Sequence, residues 1–442
     1  MSPPEKEYYV SLVNWGEKGE KGEKKEEEPR ESSNERSVHA IRQQPSPDSS
    51  QDNPVVQPEQ REEQIGIGGE QALPLDKSEM NALFTGGGAR VYEMRSQEGR
   101  RQGIQKYGGS EGSESCVEAG LQWLARHQDP DGKWSANEFH RHCKGAKCSG
   151  VGYKKYTPAL TALSFMSFLG AGYTHRSGPY RDHLQKTRAY LLGTQDRQGY
   201  FGEEEMYNHA IVMMAMLEVY GQTKDWELGA PIRRGILATC RAQQSNGGWT
   251  YQAKPSQERN DTSVTGWQIL SLHAAKRLGF GVPQKTMERA WDHFQRHTLP
   301  SGEIRYADRG PQAYRKTDAL ISVGLLCGLL LGKQGTVQKN QIRIVQKNLP
   351  EWEKANSMDH GMYYWYHGTL AMFLVGGKAW AVWNERLRPM LIAHQIKEGC
   401  EKGSWPPIDK WNSAGGRIYS TTINILILEI YYRYRPSFLF QE

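Results

Sequence analysis

No apolar run in this 442-residue chain is long enough to cross a bilayer. The longest, Ala319 to Leu331, falls short of the roughly 20 residues that a helical span requires. The opening segment MSPPEKEYYVSLVNWGEKGE lacks the uninterrupted apolar core of a secretory signal, so the expectation is a cytoplasmic chain with no transmembrane segment. Cysteine is sparse. Six residues, at 116, 143, 148, 240, 327 and 400, are too scattered for a disulfide scaffold and favour a reducing compartment. The net charge of +6 is not gathered into a compact basic block with interleaved aromatics, which excludes nucleic acid as the expected partner.

Aliphatic clusters are also missing from the first quarter. Residues 1–112 are rich in Glu, Lys, Arg, Gln, Ser, Gly and Pro, and cannot bury enough surface to offset chain entropy. This stretch reads as a disordered, low-complexity tail and linker whose protein partner the sequence does not specify. Its three Gly-Glu-Lys triplets are too few and too poor in Pro for a collagen helix. From 113 to 442 Trp, Tyr, Leu, Ile and Met become frequent, enough for one large core.

That second part is organised by a repeat. Gln128 to Trp134, Gln195 to Phe201 and Gln243 to Trp249 all read Gln, three residues, Gly, one residue, aromatic. A looser copy runs from Gln395 to Trp405, and Ser301-Gly302-Glu303-Ile304 resembles a copy without its aromatic. Each copy lies between an amphipathic helical pattern and a more apolar one. Val117, Leu121, Leu124 and Ala125 mark one helical face before the first turn, and 157–170 is apolar nearly all round after it. The pairing recurs as 180–194 with 206–221, 230–244 with 260–278, 283–297 with 315–332, 336–354 with 358–376, and 379–397 with 416–434. Six hairpins can close a barrel with amphipathic helices outside and apolar helices inside, leaving no end repeat to cap. The β-branched segment 417–432 is assigned to the sixth inner helix because its place in the repeat outweighs its propensity.

The Gln-x3-Gly-x-Trp turns resemble the repeat motif of squalene-hopene and related terpene cyclases, and the two-helix period is similar to that of prenyltransferase β-subunits. Asp261 to Gln268, Met206 to Ala210, Tyr363 to Thr369 and Gly415 to Ser420 resemble segments of bacterial proteins carrying prenyltransferase and squalene-oxidase repeats. The resemblance covers about 115–434. It implies an all-α fold, an α/α toroid of six hairpins, with an apolar or isoprenoid-like small molecule bound in the barrel mouth. The sequence departs from the family at its chemistry. There is no Asp-x-Asp-Asp proton donor, Asn260-Asp261-Thr262 being the nearest echo, and no Asp-x-Cys zinc pair. Cys327-Gly-Leu-Leu330 does not supply the Cys-Gly-x-Gln of thioester domains.

Parallel inner helices would point their N-termini, with their partial positive charges, at one rim, a place suited to an anionic group. Asp261, Asp318 and Asp359 near that rim are candidate catalytic carboxylates, with helix capping as the commoner role for such residues. Tyr207, His209, Thr262, His360, Tyr363, Trp365, Tyr366, His367 and Tyr419 are candidate ligand-binding residues, against the commoner reading of His209 and His367 as hydrogen-bonded core histidines. His140, His142, Cys143 and Cys148 form one dense soft-ligand segment, a candidate zinc set that competes with a disulfide or free thiols. The function expected is ligand binding in the mouth; the alternatives are a non-enzymatic scaffold and a carbohydrate-active hydrolase with paired carboxylates.

Overall fold

A computed structural model describes residues 90–434, apart from 204, 255–258, 311–312, 358 and 410–411. Two helices come first, α1 (Arg90–Glu93) and α2 (Gln97–Tyr107). With the start of the next helix at Glu111 they make residues 90–112 of the expected disordered tail ordered and largely helical, because Gly99, Gly103 and Tyr107 are buried there; residues 1–89 lie outside the described residues. Six hairpins follow. Their outer members are α3 (Glu111–Arg126), α5 (Arg181–Gly193), α7 (Gly229–Ala242), α9 (Gln284–His297), α11 (Thr336–Lys347) and α13 (Gly377–His394). Their inner members are α4 (Thr157–Gly170), α6 (Met206–Thr223), α8 (Thr262–Arg277), α10 (Asp318–Leu330), α12 (Met362–Val375) and α14 (Asn412–Leu428), with α15 (Ile430–Arg433) as a final turn. The segment 417–432 is helical on either side of a break at Glu429, and α14 is kinked at Gly416, whose φ of +61° and ψ of −156° are not helical.

The two layers follow from the apolar pattern. In α3, Val117, Leu121 and Leu124 are buried while Ser115, Gln122 and Arg126 face solvent. In α10 every residue from Ala319 to Leu330 is buried, which only a helix covered on both sides allows. Inner helices pack as a closed ring, α4 on α6, then α8, α10, α12, α14, and α14 back on α4. None of the helices described is long and apolar enough to cross a membrane.

The repeated turn holds neighbouring hairpins together. In the turn after α7, the Gln243 amide donates to Gly247 O at 2.8 Å within its own turn and to Thr286 O at 2.9 Å on the next outer helix. Gln128 and Gln195 make the same double contact, to Gly132 O and His183 O, and to Gly199 O and Pro231 O. Gln395 repeats it across the seam, to Gly403 O at 2.9 Å and Cys116 O at 2.7 Å, joining the sixth hairpin to the first. The fourth turn has no Gln, and Gln341 of the following outer helix donates to Gly302 O from the opposite side at 3.2 Å. The turn glycine is required twice over. Gly247 has φ of +91°, and a Cβ there would lie 2.1 Å from Arg289 O, a backbone atom that cannot rotate away.

The turn aromatic ties outer helix to inner. The indoles of Trp134, Trp249 and Trp405 donate to Leu124 O, Thr239 O and Leu391 O. Their backbone N–H groups donate to the hydroxyls of Thr161, Thr265 and Thr421 on the inner helices. Phe201 N donates instead to His209 Nδ1 at 3.1 Å.

The barrel axis is filled. Trp267 of α8 stacks across the ring on Tyr366 of α12, ring centres 5.9 Å apart, and meets His367 edge-on at 5.3 Å. At the C-terminal rim of the inner helices, Arg95 donates to Leu169 O at 3.0 Å and pairs with Glu218 at 2.8 Å, while Arg433 pairs with Glu218 at 2.6 Å. Cations belong there, where helix carbonyls concentrate negative charge.

Replacing Gln395 by Ala should lower unfolding stability by about 1–3 kcal/mol, since buried carbonyls lose their donor. Gly247→Ala should lower it by at least as much, through strain at positive φ. Glu398→Ala, on the exposed part of the last turn, should stay within about 0.5 kcal/mol of wild type. Urea denaturation compares the three, and a Gln395→Ala curve overlaying that of Glu398→Ala would rule out the clasp as a stabilising contact.

Candidate functional site

The N-termini of the inner helices meet at one mouth, and tyrosines converge there. Tyr207 at the start of α6 donates to Ser263 Oγ at the start of α8, 2.8 Å away. The hydroxyls of Tyr251 and Tyr306 hydrogen-bond each other, and the rings of Tyr207 and Tyr251 lie 5.6 Å apart. With Tyr363 and Tyr419 they make a collar of five half-buried rings. Burial pushes all five phenols above their ordinary range, so the collar is uncharged at neutral pH.

Asp261 sits beside this collar, fully buried. It precedes α8, yet its side chain does not cap the helix. Its Oδ1 accepts from Arg259 at 2.9 and 3.1 Å, and its Oδ2 accepts from Thr250 Oγ1 at 2.7 Å. Burial raises its carboxyl above the usual value, against the pull of Arg259 and Thr250. Thr262 is turned to Arg305 O at 2.8 Å. A local sequence pattern points to none of Arg259, Thr250, Tyr251 or Tyr306, which belong to the connections between α7 and α8 and between α9 and α10.

Asp318 is not a cap either, because Thr317 fills that role by accepting from Leu320 N. Its carboxyl lies 3.8 Å from His360 Nε2 and is raised by burial and by Asp359, while His360 opposes the rise. Asp318, His360 and Asp359 therefore form one group; the charges acting on Asp261 are Arg259 and Asp308. The carboxylate that does cap α12 is Asp409, from the sixth hairpin, which accepts from Met362 N.

The remaining candidates separate by depth. His209 accepts from Phe201 N and donates through Nε2 to Thr239 Oγ1 at 2.8 Å, occupying the place that Thr161 and Thr265 take in other repeats. It is a core histidine, held neutral by burial, which pulls it down to about 4. His367 donates to Tyr363 O and lies with Tyr366 in the plug below the mouth. Trp365 faces the outer layer, 5.8 Å from Trp352, away from the mouth.

Of the soft-ligand segment, only the cysteines come together, and they do so with two residues not singled out in the sequence. Cys143 Sγ and Cys148 Sγ each lie 3.5 Å from His127 Nε2, and Cys400 Sγ lies 3.6 Å from the same nitrogen. His142 turns to Asp129 Oδ1 at 2.7 Å, and His140 lies outside the group. His127 precedes the first turn Gln and Cys400 lies inside the last turn, so their meeting follows only from ring closure. In a second group, His293, His297 and Asp308, His297 Nε2 lies 2.7 Å from Asp308 Oδ1 and His293 stacks on His297. A concavity of about 280 Å³ is lined by Arg197 of the second turn and by Arg234 and Arg241 of the outer helix α7.

The sequence matches no known family profile and no curated protein. Solved structures do resemble it. The α-1,6-mannanase GH76A from Salegentibacter sp. HEL1_6 superposes with a TM-score of 0.53 at 12% identity, over 72% of this chain and 98% of that one. A D-mannose isomerase gives 0.52 at 11% identity, over 72% and 96%. A type II terpene cyclase from Scytonema gives 0.45 at 13% identity, over 73% and 97%. What the first two share with this chain is architecture. The chain is an α/α toroid.

One acid of this toroid sets a pH dependence. Glu205, which caps α6 by accepting from Asn208 N at 2.9 Å, is pushed up by burial to about 7. Its protonated form is favoured by folding, so the associated stability is full below the unfolded value near 4.5 and is lost as pH rises through about 7. Glu205→Gln keeps an acceptor and should stabilise the protein at pH 8 by about 1–2 kcal/mol, with little effect at pH 4.5. Unfolding curves of the two proteins that keep a constant separation across this window would contradict the assignment.

Proposed function

We propose that this toroid is a binding protein whose mouth holds an apolar or isoprenoid-like small molecule against the tyrosine collar, without acid catalysis at Asp261. The observation that carries the reading is the collar itself. Five neutral phenol rings, part buried and part open, offer the faces and edges that pack against hydrocarbon and unsaturated groups. The Trp267–Tyr366 stack beneath them favours a ligand lying across the mouth over one threaded along the axis. Asp261 has both oxygens engaged by Arg259 and Thr250, so its carboxyl is committed to these donors and is poorly placed to give a proton to a ligand.

One observation favours a second reading, carbohydrate hydrolysis. Burial and the neighbouring Asp359 raise the Asp318 carboxyl, and an acid of raised proton affinity beside a second carboxylate is what glycosidic cleavage uses.

Titration of farnesol, followed by intrinsic fluorescence and native mass spectrometry, tests the first reading. Saturable binding is expected, with Tyr207→Ala and Tyr363→Ala each raising Kd roughly tenfold, about 1.4 kcal/mol. Absence of binding to folded protein would leave a scaffold. Hydrolysis of α-1,6-mannotriose that disappears in Asp318→Asn would replace the first reading with the second.

A further inference from the structure

We propose that His127, Cys143, Cys148 and Cys400 form a tetrahedral Cys3His zinc site that staples the seam of the toroid. The argument starts from distance. Zinc at about 2.3 Å from sulfur and 2.0–2.1 Å from nitrogen, in tetrahedral geometry, sets each N···S separation at roughly 3.5–3.6 Å. The three observed separations from His127 Nε2 are 3.5, 3.5 and 3.6 Å, and all four donor atoms lie within 4.8 Å of one another. A disulfide between Cys143 and Cys148 would leave Cys400 and the imidazole nitrogen facing it without a role.

The surroundings are those of a ligand set. His127 Nδ1 donates to Trp123 O at 2.8 Å, which fixes the tautomer and leaves the Nε2 lone pair facing the sulfurs. The ring is also held by stacking on Trp123 at 4.4 Å. Cys148 N donates to Cys143 Sγ at 3.2 Å, a contact that stabilises a thiolate. Three thiolates around a divalent cation leave one net negative charge, and the buried Arg417 guanidinium, bonded to Ser149 O at 2.8 Å and paired with Glu401 at 2.8 Å, is close enough to interact with Cys143 and Cys148. Four protein donors complete the coordination shell, so the site is structural and leaves no position for substrate.

Its place explains its use. His127, Cys143 and Cys148 belong to the first hairpin and its long loop, and Cys400 to the last turn, 273 residues from His127. The same junction carries Gln395 on Cys116 O, Arg126 on Lys402 O and Glu401 on Ser149 N. The metal would add bonds where the ring closes, and would order the loop between Trp134 and Tyr156.

The full-length protein, purified without metal-affinity resin or added metal, is assayed for zinc by plasma mass spectrometry. A zinc-to-chain ratio near one is expected. Cobalt exchanged for zinc should give the visible spectrum of a tetrahedral thiolate-rich centre. Cys400→Ser should weaken zinc retention by roughly 10–100-fold or more and lower the thermal midpoint, whereas Cys240→Ser should keep the metal. Should Cys400→Ser fail to fold, the wild-type zinc content and cobalt spectrum decide. Metal-free wild type, a Cys143–Cys148 disulfide in the peptide map, or full zinc retention in Cys400→Ser would overturn the proposal. These readouts do not depend on what the barrel mouth binds.

Discussion

Everything in this ring depends on how one hairpin is fastened to the next. Apolar burial drives the inner helices together, but burial is nondirectional and would tolerate many angles between neighbours. At four of the six turns a Gln amide supplies the direction. It donates once within its own turn and once to the next outer helix, so the turn cannot be correct without the neighbour being in place. Glycine at positive φ lets the turn backbone approach that helix, and the aromatic pins outer helix to inner. The fourth junction shows that the contact matters more than its residue of origin, because Gln341 supplies the same amide from the other partner.

A closed ring of parallel inner helices has two unlike ends. At the carbonyl end the chain places Arg95 and Arg433 with Glu218, a buried network whose cations face the negative helix termini. At the amide end it places neutral tyrosines, one Arg-neutralised aspartate and the Asp318–His360–Asp359 group. The Trp267–Tyr366 stack lies between the two ends. The candidate ligand-binding residues lie at the amide end, and the buried ion network ties Arg95 and the last turn of the chain to α6 at the other.

Much of this was legible in the sequence, and what was not has a common cause. The spacing of Gln, Gly and aromatic marks the turns, the two degrees of apolarity mark inner and outer helices, and the count of pairs closes the ring. Local spacing also brought Cys143 and Cys148 to notice, but chose His140 and His142 as their companions because they are near in sequence. Their actual companions, His127 and Cys400, become neighbours only when repeat six meets repeat one. Asp261 fails in the same way. Its position before a helix suggests capping, whereas its partners Arg259 and Thr250 are set by the path of a long turn that no periodicity describes. His209 is the reverse case, since aligning the repeats puts it where Thr161 and Thr265 stand, and that alone identifies it as part of the scaffold.

The seam has a different thermodynamic standing from the other junctions. The clasps between consecutive hairpins join residues 36 to 55 apart, while Gln395 and Cys116 are separated by 279. Measured against the unfolded chain, closing the longer span costs about 1.5–2 kcal/mol more than closing one of the short ones, since the cost grows only with the logarithm of length. The energetic difference is modest, but the structural one is not. Every other junction can form as its hairpin forms; this one must wait until six hairpins have accumulated the right curvature, and any error in angle is felt there in full. A junction that absorbs such error needs bonds with strict geometry and high strength. The seam accordingly carries more than the repeat provides: the Arg417–Glu401 ion pair, the Ser149 and Arg126 hydrogen bonds, and four soft donors gathered around one point.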